Sequence, residues 1–82
     1  MNDTAPQFSD AAVALWELQN EAVSARALAT MGGRVSLQRH VLRHEQADAA
    51  TAKFTEAVNA ADPDVMDEYA ALLRWRHANG MR

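Results

Sequence analysis

Two histidines and an aspartate recur at steps of four in the middle of the sequence, at His40, His44 and Asp48. In an α-helix this spacing places the three side chains on one side, one turn apart. Two imidazoles and a carboxylate in that arrangement can ligate a metal ion such as Zn²⁺. Alternatively, the imidazoles pack at a helix interface, or form a pH-sensitive one, since histidine titrates near neutrality. The packing interpretation is favoured, and a His-based metal-binding protein is an alternative.

Three arginines in the same region, Arg34, Arg39 and Arg43, are candidates for contacts to phosphate groups. Gly33 and Ser36 have a spacing found before the recognition helix of helix-turn-helix motifs. That motif uses short helices, however, and it would place His40 and Arg43 at positions that require apolar packing. The net charge of −3 also disfavours a dedicated nucleic-acid-binding protein. A nucleic-acid-associated protein is therefore an alternative rather than the favoured interpretation.

The adjacent residues Arg74, Trp75 and Arg76 form the candidate protein-binding site. Tryptophan and arginine are the residue types most enriched at binding hot spots. On a helix, Trp75 is rotated by about 100° from Arg76, which places it at the edge of the apolar stripe. The competing interpretation is that Trp75 packs within the chain, against Trp16 or Phe54.

No residue pattern indicates catalysis. The sequence has no cysteine, so it offers neither a thiolate nucleophile nor a thiolate metal ligand. Ser9, Ser24 and Ser36 fall at helix caps or on polar faces, and no glycine-rich phosphate loop is present. The sequence therefore predicts a non-enzymatic protein without a cofactor.

Three helices are expected to position these residues. Ser9 or Asp10 caps the first, Ser36 caps the second, and Asp62 caps the third, with Pro63 at its first helical position. Apolar residues at steps of three and four along the second segment predict one buried stripe, and they include Leu37, Val41, Phe54 and Val58. The segments are predicted to extend over about 10–31, 36–61 and 63–79.

The predicted fold is all-α: a long antiparallel helical hairpin over residues 9–61, turning at Gly32-Gly33, with a third helix packed across it. Residues 1–8 are expected to be a mobile tail, and 9–82 a single three-helix domain. Alanine supplies 18 of the 82 residues, so large apolar side chains are few. Such a core is marginal for a chain of this size, and the sequence predicts completion by homodimerisation.

Charges occur in blocks of alternating sign along the chain. Residues 1–25 contain four acids and no base, whereas 26–44 contain four arginines and no acid. Residues 45–68 then contain seven acids against Lys53 alone. Residues 69–82 contain three arginines. Blocks of this kind match across antiparallel helices, which favours ion pairs within the fold; the alternative is that they gather the two basic segments into one patch.

The polar N-terminus and the lack of any apolar run of membrane length favour a cytoplasmic protein. Together with the missing catalytic and cofactor motifs, the Arg-Trp-Arg cluster predicts a non-catalytic protein-binding module. A small regulator, inhibitor or assembly accessory of bacterial or phage type would fit this description, with another protein as its partner.

Overall fold

The computed structural model describes residues 7–31 and 35–80, and it confirms the all-α, three-helix fold. Helix α1 is Asp10–Thr30, α2 is Leu37–Ala60 and α3 is Pro63–Ala78. These bounds agree with the sequence prediction to within two residues at each end. The predicted turn at Gly32-Gly33 lies outside the described residues.

The helices begin where the capping residues predict. The hydroxyl of Ser9 accepts a hydrogen bond from the Ala12 amide, and the hydroxyl of Ser36 accepts one from the Arg39 amide, both at 3.2 Å. Each bond satisfies one of the backbone donors that a helix N-terminus leaves free. Asp62 occupies the N-cap position of α3, but its side chain makes no capping hydrogen bond. Pro63 starts this helix because its fixed φ suits the first turn and it has no amide to leave unpaired.

Helices α1 and α2 form the predicted antiparallel hairpin. The beginning of α1 lies beside the end of α2, where Leu15 and Ala57 line one groove. Further along, the guanidinium of Arg26 donates to the carboxylate of Asp48 at 2.8 Å. This ion pair joins two of the oppositely charged blocks of the sequence.

Helix α3 packs across the beginning of α1. The Ser9 amide donates to the Glu68 carboxylate at 2.5 Å, and the hydroxyl of Tyr69 donates to the side-chain oxygen of Gln19. The guanidinium of Arg76 lies 4.0 Å from the centroid of the Trp16 ring. All of these contacts lie on α1 and its N-terminal flank before residue 20, so α3 covers only one half of the hairpin.

The hydrophobic core lies in the half of the hairpin that α3 covers. Its central buried residues are Ala12, Leu15 and Tyr69, and partly buried side chains from all three helices surround them. Leu72 of α3 is buried as well. In the other half, the described residues bury only Ala29 and Ala47. Alanines at these positions let α1 and α2 approach closely, but each contributes little apolar area.

The molecule is elongated because the hairpin extends beyond its core. The radius of gyration of the Cα atoms is 15.7 Å, and the principal extents are 49 × 31 × 14 Å. A compact domain of this length has a radius of gyration of about 12 Å. None of the helices in the described part of the chain is both long enough and apolar enough to cross a membrane.

Burial of Tyr69 predicts a loss of stability at alkaline pH. Burial raises the pKa of the Tyr69 phenol above its ordinary value, because the phenolate is poorly solvated there. Above about pH 10 the unfolded chain then loses this proton more readily than the folded chain, so the free energy of unfolding falls as pH rises. Urea unfolding at a series of pH values, from neutral to above about pH 10, should show this decrease in the free energy of unfolding.

Tyr69→Phe is the matched control for that titration. It should remove the part of the alkaline decrease that comes from this phenol. At neutral pH it should cost about 1 kcal/mol, the typical value of one hydrogen bond, here the one to Gln19. An unchanged alkaline decrease in Tyr69→Phe would contradict the assignment.

Candidate protein-binding surface

The uncovered half of the hairpin carries the exposed large hydrophobic residues of the described chain. All of them lie between residues 23 and 42, and Leu37 is the most exposed at 78%. They are Val23, Leu28, Met31, Val35, Leu37, Val41 and Leu42. Exposed apolar residues scattered singly are ordinary, whereas a group confined to one end of a molecule makes that end a candidate interaction surface. We call this half of the hairpin, residues 23–31 and 35–48, its distal half.

These side chains lie on two sides of the distal half. Trp16 lies on the side of α1 that α3 covers, because Arg76 of α3 stacks on its ring. Val23 follows Trp16 by seven residues, or two helical turns, and therefore lies on the same side of α1. On α2, successive steps of four, three and four residues lead from Leu37 through Val41 and His44 to Asp48, so these side chains lie on one side of the helix. Asp48 pairs with Arg26, which lines a groove together with Val23. We call the exposed set on this side the α3-side surface, and it comprises Val23, Ala27, Leu37 and Val41.

The α3-side surface contains a shallow groove of about 430 Å³ between the two hairpin helices. Val23, Ala27 and Thr51 line it together with Arg26. The guanidinium of Arg26 pairs with the carboxylate of Asp48, so the walls of the groove are apolar apart from this ion pair. Helix α3 packs on the corresponding side of α1 at the other end of the hairpin.

The predicted site around Trp75 lies in the covered half, away from this surface. The Trp75 ring packs against Phe8, with ring centroids 6.1 Å apart, and it is partly buried. Arg76 stacks on Trp16, whereas Arg74 is exposed. Two of the three predicted partner-binding residues therefore contact other parts of the chain. Phe8, which the sequence analysis assigned to the tail, is part of this packing.

The three arginines of the nucleic-acid alternative are not all described. Arg34 lies outside the described residues, Arg39 is exposed, and Arg43 is partly buried. Both described arginines are on α2, within the distal half. Their use for phosphate binding stays a prediction, which an electrophoretic shift with a steep salt dependence would support.

The histidine pair lies on the distal part of α2. The rings of His40 and His44 pack edge to face, with centroids 4.6 Å apart. The third predicted ligand, Asp48, is engaged by Arg26 at 2.8 Å. Within the described chain, no group of three or more His, Cys, Asp or Glu side chains is placed to hold a metal ion. His40 is exposed and His44 partly buried, so this end of the predicted stripe is not covered by another helix.

Sequence reasoning missed the α3-side surface because periodicity does not reveal which helix covers a stripe. Leu37 and Val41 fit the apolar stripe of α2, and the stripe predicted that they would be buried. In the structure both are exposed, because α3 packs only against the other half of the hairpin and does not reach them. The length of α2 relative to α3 was the available signal: 24 residues against 16.

Comparison with known proteins assigns no family. The chain matches no protein-family model, and no curated protein or solved structure is significantly similar to it.

Proposed function

We propose that this protein is a non-catalytic protein-binding module. It binds an amphipathic helix of another protein against the α3-side surface. The observation that carries the proposal is the exposure of Leu37, Val23 and Val41 on the side of the hairpin that α3 packs against further along. A partner helix would continue the layer that α3 begins.

Energetics support a helical partner for this surface. Full burial of an aliphatic side chain of this size contributes about 1.5–3 kcal/mol, and the three large residues of the surface are roughly half exposed or more. A helix lying in the groove would bury them together, in the manner of other helix-in-groove complexes, where apolar anchors recur at i, i+3 and i+4. The partner helix should therefore carry an apolar stripe flanked by polar residues.

The charges of the groove are consistent with a partner whose binding stripe is uncharged. Arg26 and Asp48 already pair with each other, so these two residues offer no unmatched charge to a charged side chain of the partner. Specificity would then come from the shape of the apolar stripe and from polar groups at its rim. A small regulator, inhibitor or assembly accessory of bacterial or phage type would act in this way, by occupying a helix of its target.

Site-specific photo-cross-linking in the native host tests the proposal. A photoreactive residue at position 41 should capture a partner protein. The control position is Glu56, which is exposed and lies two and a half turns after buried Ala47, on the outer side of α2. A partner captured at 41 and not at 56 supports the proposal. Equal capture at both positions, or none at 41, would contradict it.

A further inference from the structure

We infer that the opposite side of the hairpin is a self-association surface, and that a second copy of this chain occupies it. This inference is independent of the proposed function, because it concerns other residues. The surface joins an apolar groove in the covered half to two exposed leucines in the distal half. The exposed leucines of one copy can enter the apolar groove of the other.

The groove lies between the beginning of α1 and the end of α2 and reaches Val65 in the first turn of α3, with a volume of about 340 Å³. Ala14 lines it from α1, Ala60 lines it from α2, and Asp62 stands at its end. Short alanine side chains leave the space between the helices open. The groove therefore accepts a protruding apolar side chain of moderate size.

The leucines lie on the same sides of their helices as the groove. Leu28 follows Ala14 by fourteen residues, which is close to four helical turns. Leu42 precedes Ala60 by eighteen residues, which is five turns. Each hairpin helix thus carries a groove-lining alanine at one end and an exposed leucine at the other, in one line along α2 and offset by about 40° around α1.

One two-fold axis brings both leucines of one copy to the groove of the other. The midpoint between Leu28 and Ala14 is at residue 21, and the midpoint between Leu42 and Ala60 is at residue 51. Residues at these levels are neighbours in the hairpin, since Ala22 and Thr51 line the same groove on the other side. A rotation about an axis perpendicular to the helices at that level therefore satisfies both pairs at once. Such an arrangement is a closed, isologous dimer.

Charges favour the same register. With Leu42 opposite Ala60 of the second copy in antiparallel α2 helices, Arg39 lies opposite Pro63, between Asp62 and Asp64. Arg39, Asp62 and Asp64 are exposed in the single chain, so they are available to pair across the interface. An arrangement with the two distal ends side by side would instead bring Arg39 and Arg43 of both copies together.

Analytical ultracentrifugation of the full chain tests the inference. The wild-type protein should sediment at twice the chain mass at micromolar concentrations. Leu42→Asp should raise the dissociation constant of the dimer about tenfold or more, because a carboxylate would enter an apolar groove. Val41→Asp is the matched control: it adjoins Leu42, is similarly exposed (47% against 51%), and lies on the other side of α2. It should leave the dimer intact.

A charge exchange provides a second readout that does not depend on folding of the leucine variant. Arg39→Glu alone should weaken the dimer, and so should Asp62→Arg alone, whereas the double variant should restore it. Restoration together with loss in Leu42→Asp supports the interface. A monomeric wild type, a dimer that Leu42→Asp leaves unchanged, or a double variant as weak as the singles would overturn it.

Discussion

Leu15→Ala is expected to remove a large part of the free energy of unfolding of the protein. Leu15 is 3% exposed and belongs to the buried cluster where all three helices meet. Removing a buried leucine side chain costs about 2–5 kcal/mol, because the transfer free energy is lost and a cavity remains. A domain of this size has a free energy of unfolding of only about 5 kcal/mol in total. Circular dichroism during urea or thermal unfolding measures the effect.

Leu37→Ala is the control for Leu15→Ala, since it makes the same substitution at a highly exposed helical position. It should change the free energy of unfolding by about 0.5 kcal/mol or less, because surface substitutions away from special features usually do. If both variants lose stability equally, the core does not lie in the half of the hairpin that α3 covers.

Trp75→Ala is expected to lower the free energy of unfolding by about 2 kcal/mol. Complete burial of a tryptophan makes its loss cost about 3–5 kcal/mol, and Trp75 is only partly buried. Its contact with Phe8 links the end of α3 to the residues that precede α1. The variant should therefore also weaken the packing of Phe8, which the near-ultraviolet circular dichroism of the aromatic residues would report.

The same variant tests the sequence-based hypothesis that Trp75 is a binding hot spot. Under that hypothesis, Trp75→Ala would weaken partner binding by about 2 kcal/mol or more with little loss of stability. Measuring the melting temperature and the partner affinity on one variant separates the two outcomes. Arg74→Ala serves as the control, because Arg74 is exposed and is not part of the Phe8 contact.

Local sequence signals were sufficient to predict the helices and the hairpin. Ser9, Ser36 and Pro63 mark the three N-termini, and capping depends on residues within one turn of the chain. The antiparallel arrangement of α1 and α2 follows from their short connection. These features are local, and a single sequence contains them in full.

The position of α3 could not be predicted from local signals. At about 1.5 Å per residue α3 is about 24 Å long, whereas α2 is about 36 Å long. A short helix can lie along either half of the hairpin or across it. The stripe of α2 looks the same in each case, and only tertiary packing decides that Phe54 is covered while Leu37 is exposed. Whether Trp75 packs within the chain also depends on tertiary packing, since its contact Phe8 is far from it in sequence.

The two proposed surfaces lie on opposite sides of the hairpin and would be used together. A dimer formed through Leu28 and Leu42 leaves Val23, Leu37 and Val41 of both copies facing outward. The assembly would then present two partner-binding surfaces, related by the two-fold axis. Two linked sites bind a target with two copies of the recognised helix more tightly than one site does, through effective concentration.

The most direct test of the protein-binding proposal compares the affinity of Val41→Asp and Leu42→Asp for the partner that photo-cross-linking identifies. Isothermal titration calorimetry with the purified partner gives both dissociation constants. For a partner that carries one copy of the recognised helix, Val41→Asp should weaken binding by about 2 kcal/mol or more, as loss of an interface hot spot does, and Leu42→Asp should bind within about twofold of wild type. Wild-type affinity in Val41→Asp, with both variants folded, would contradict the proposal.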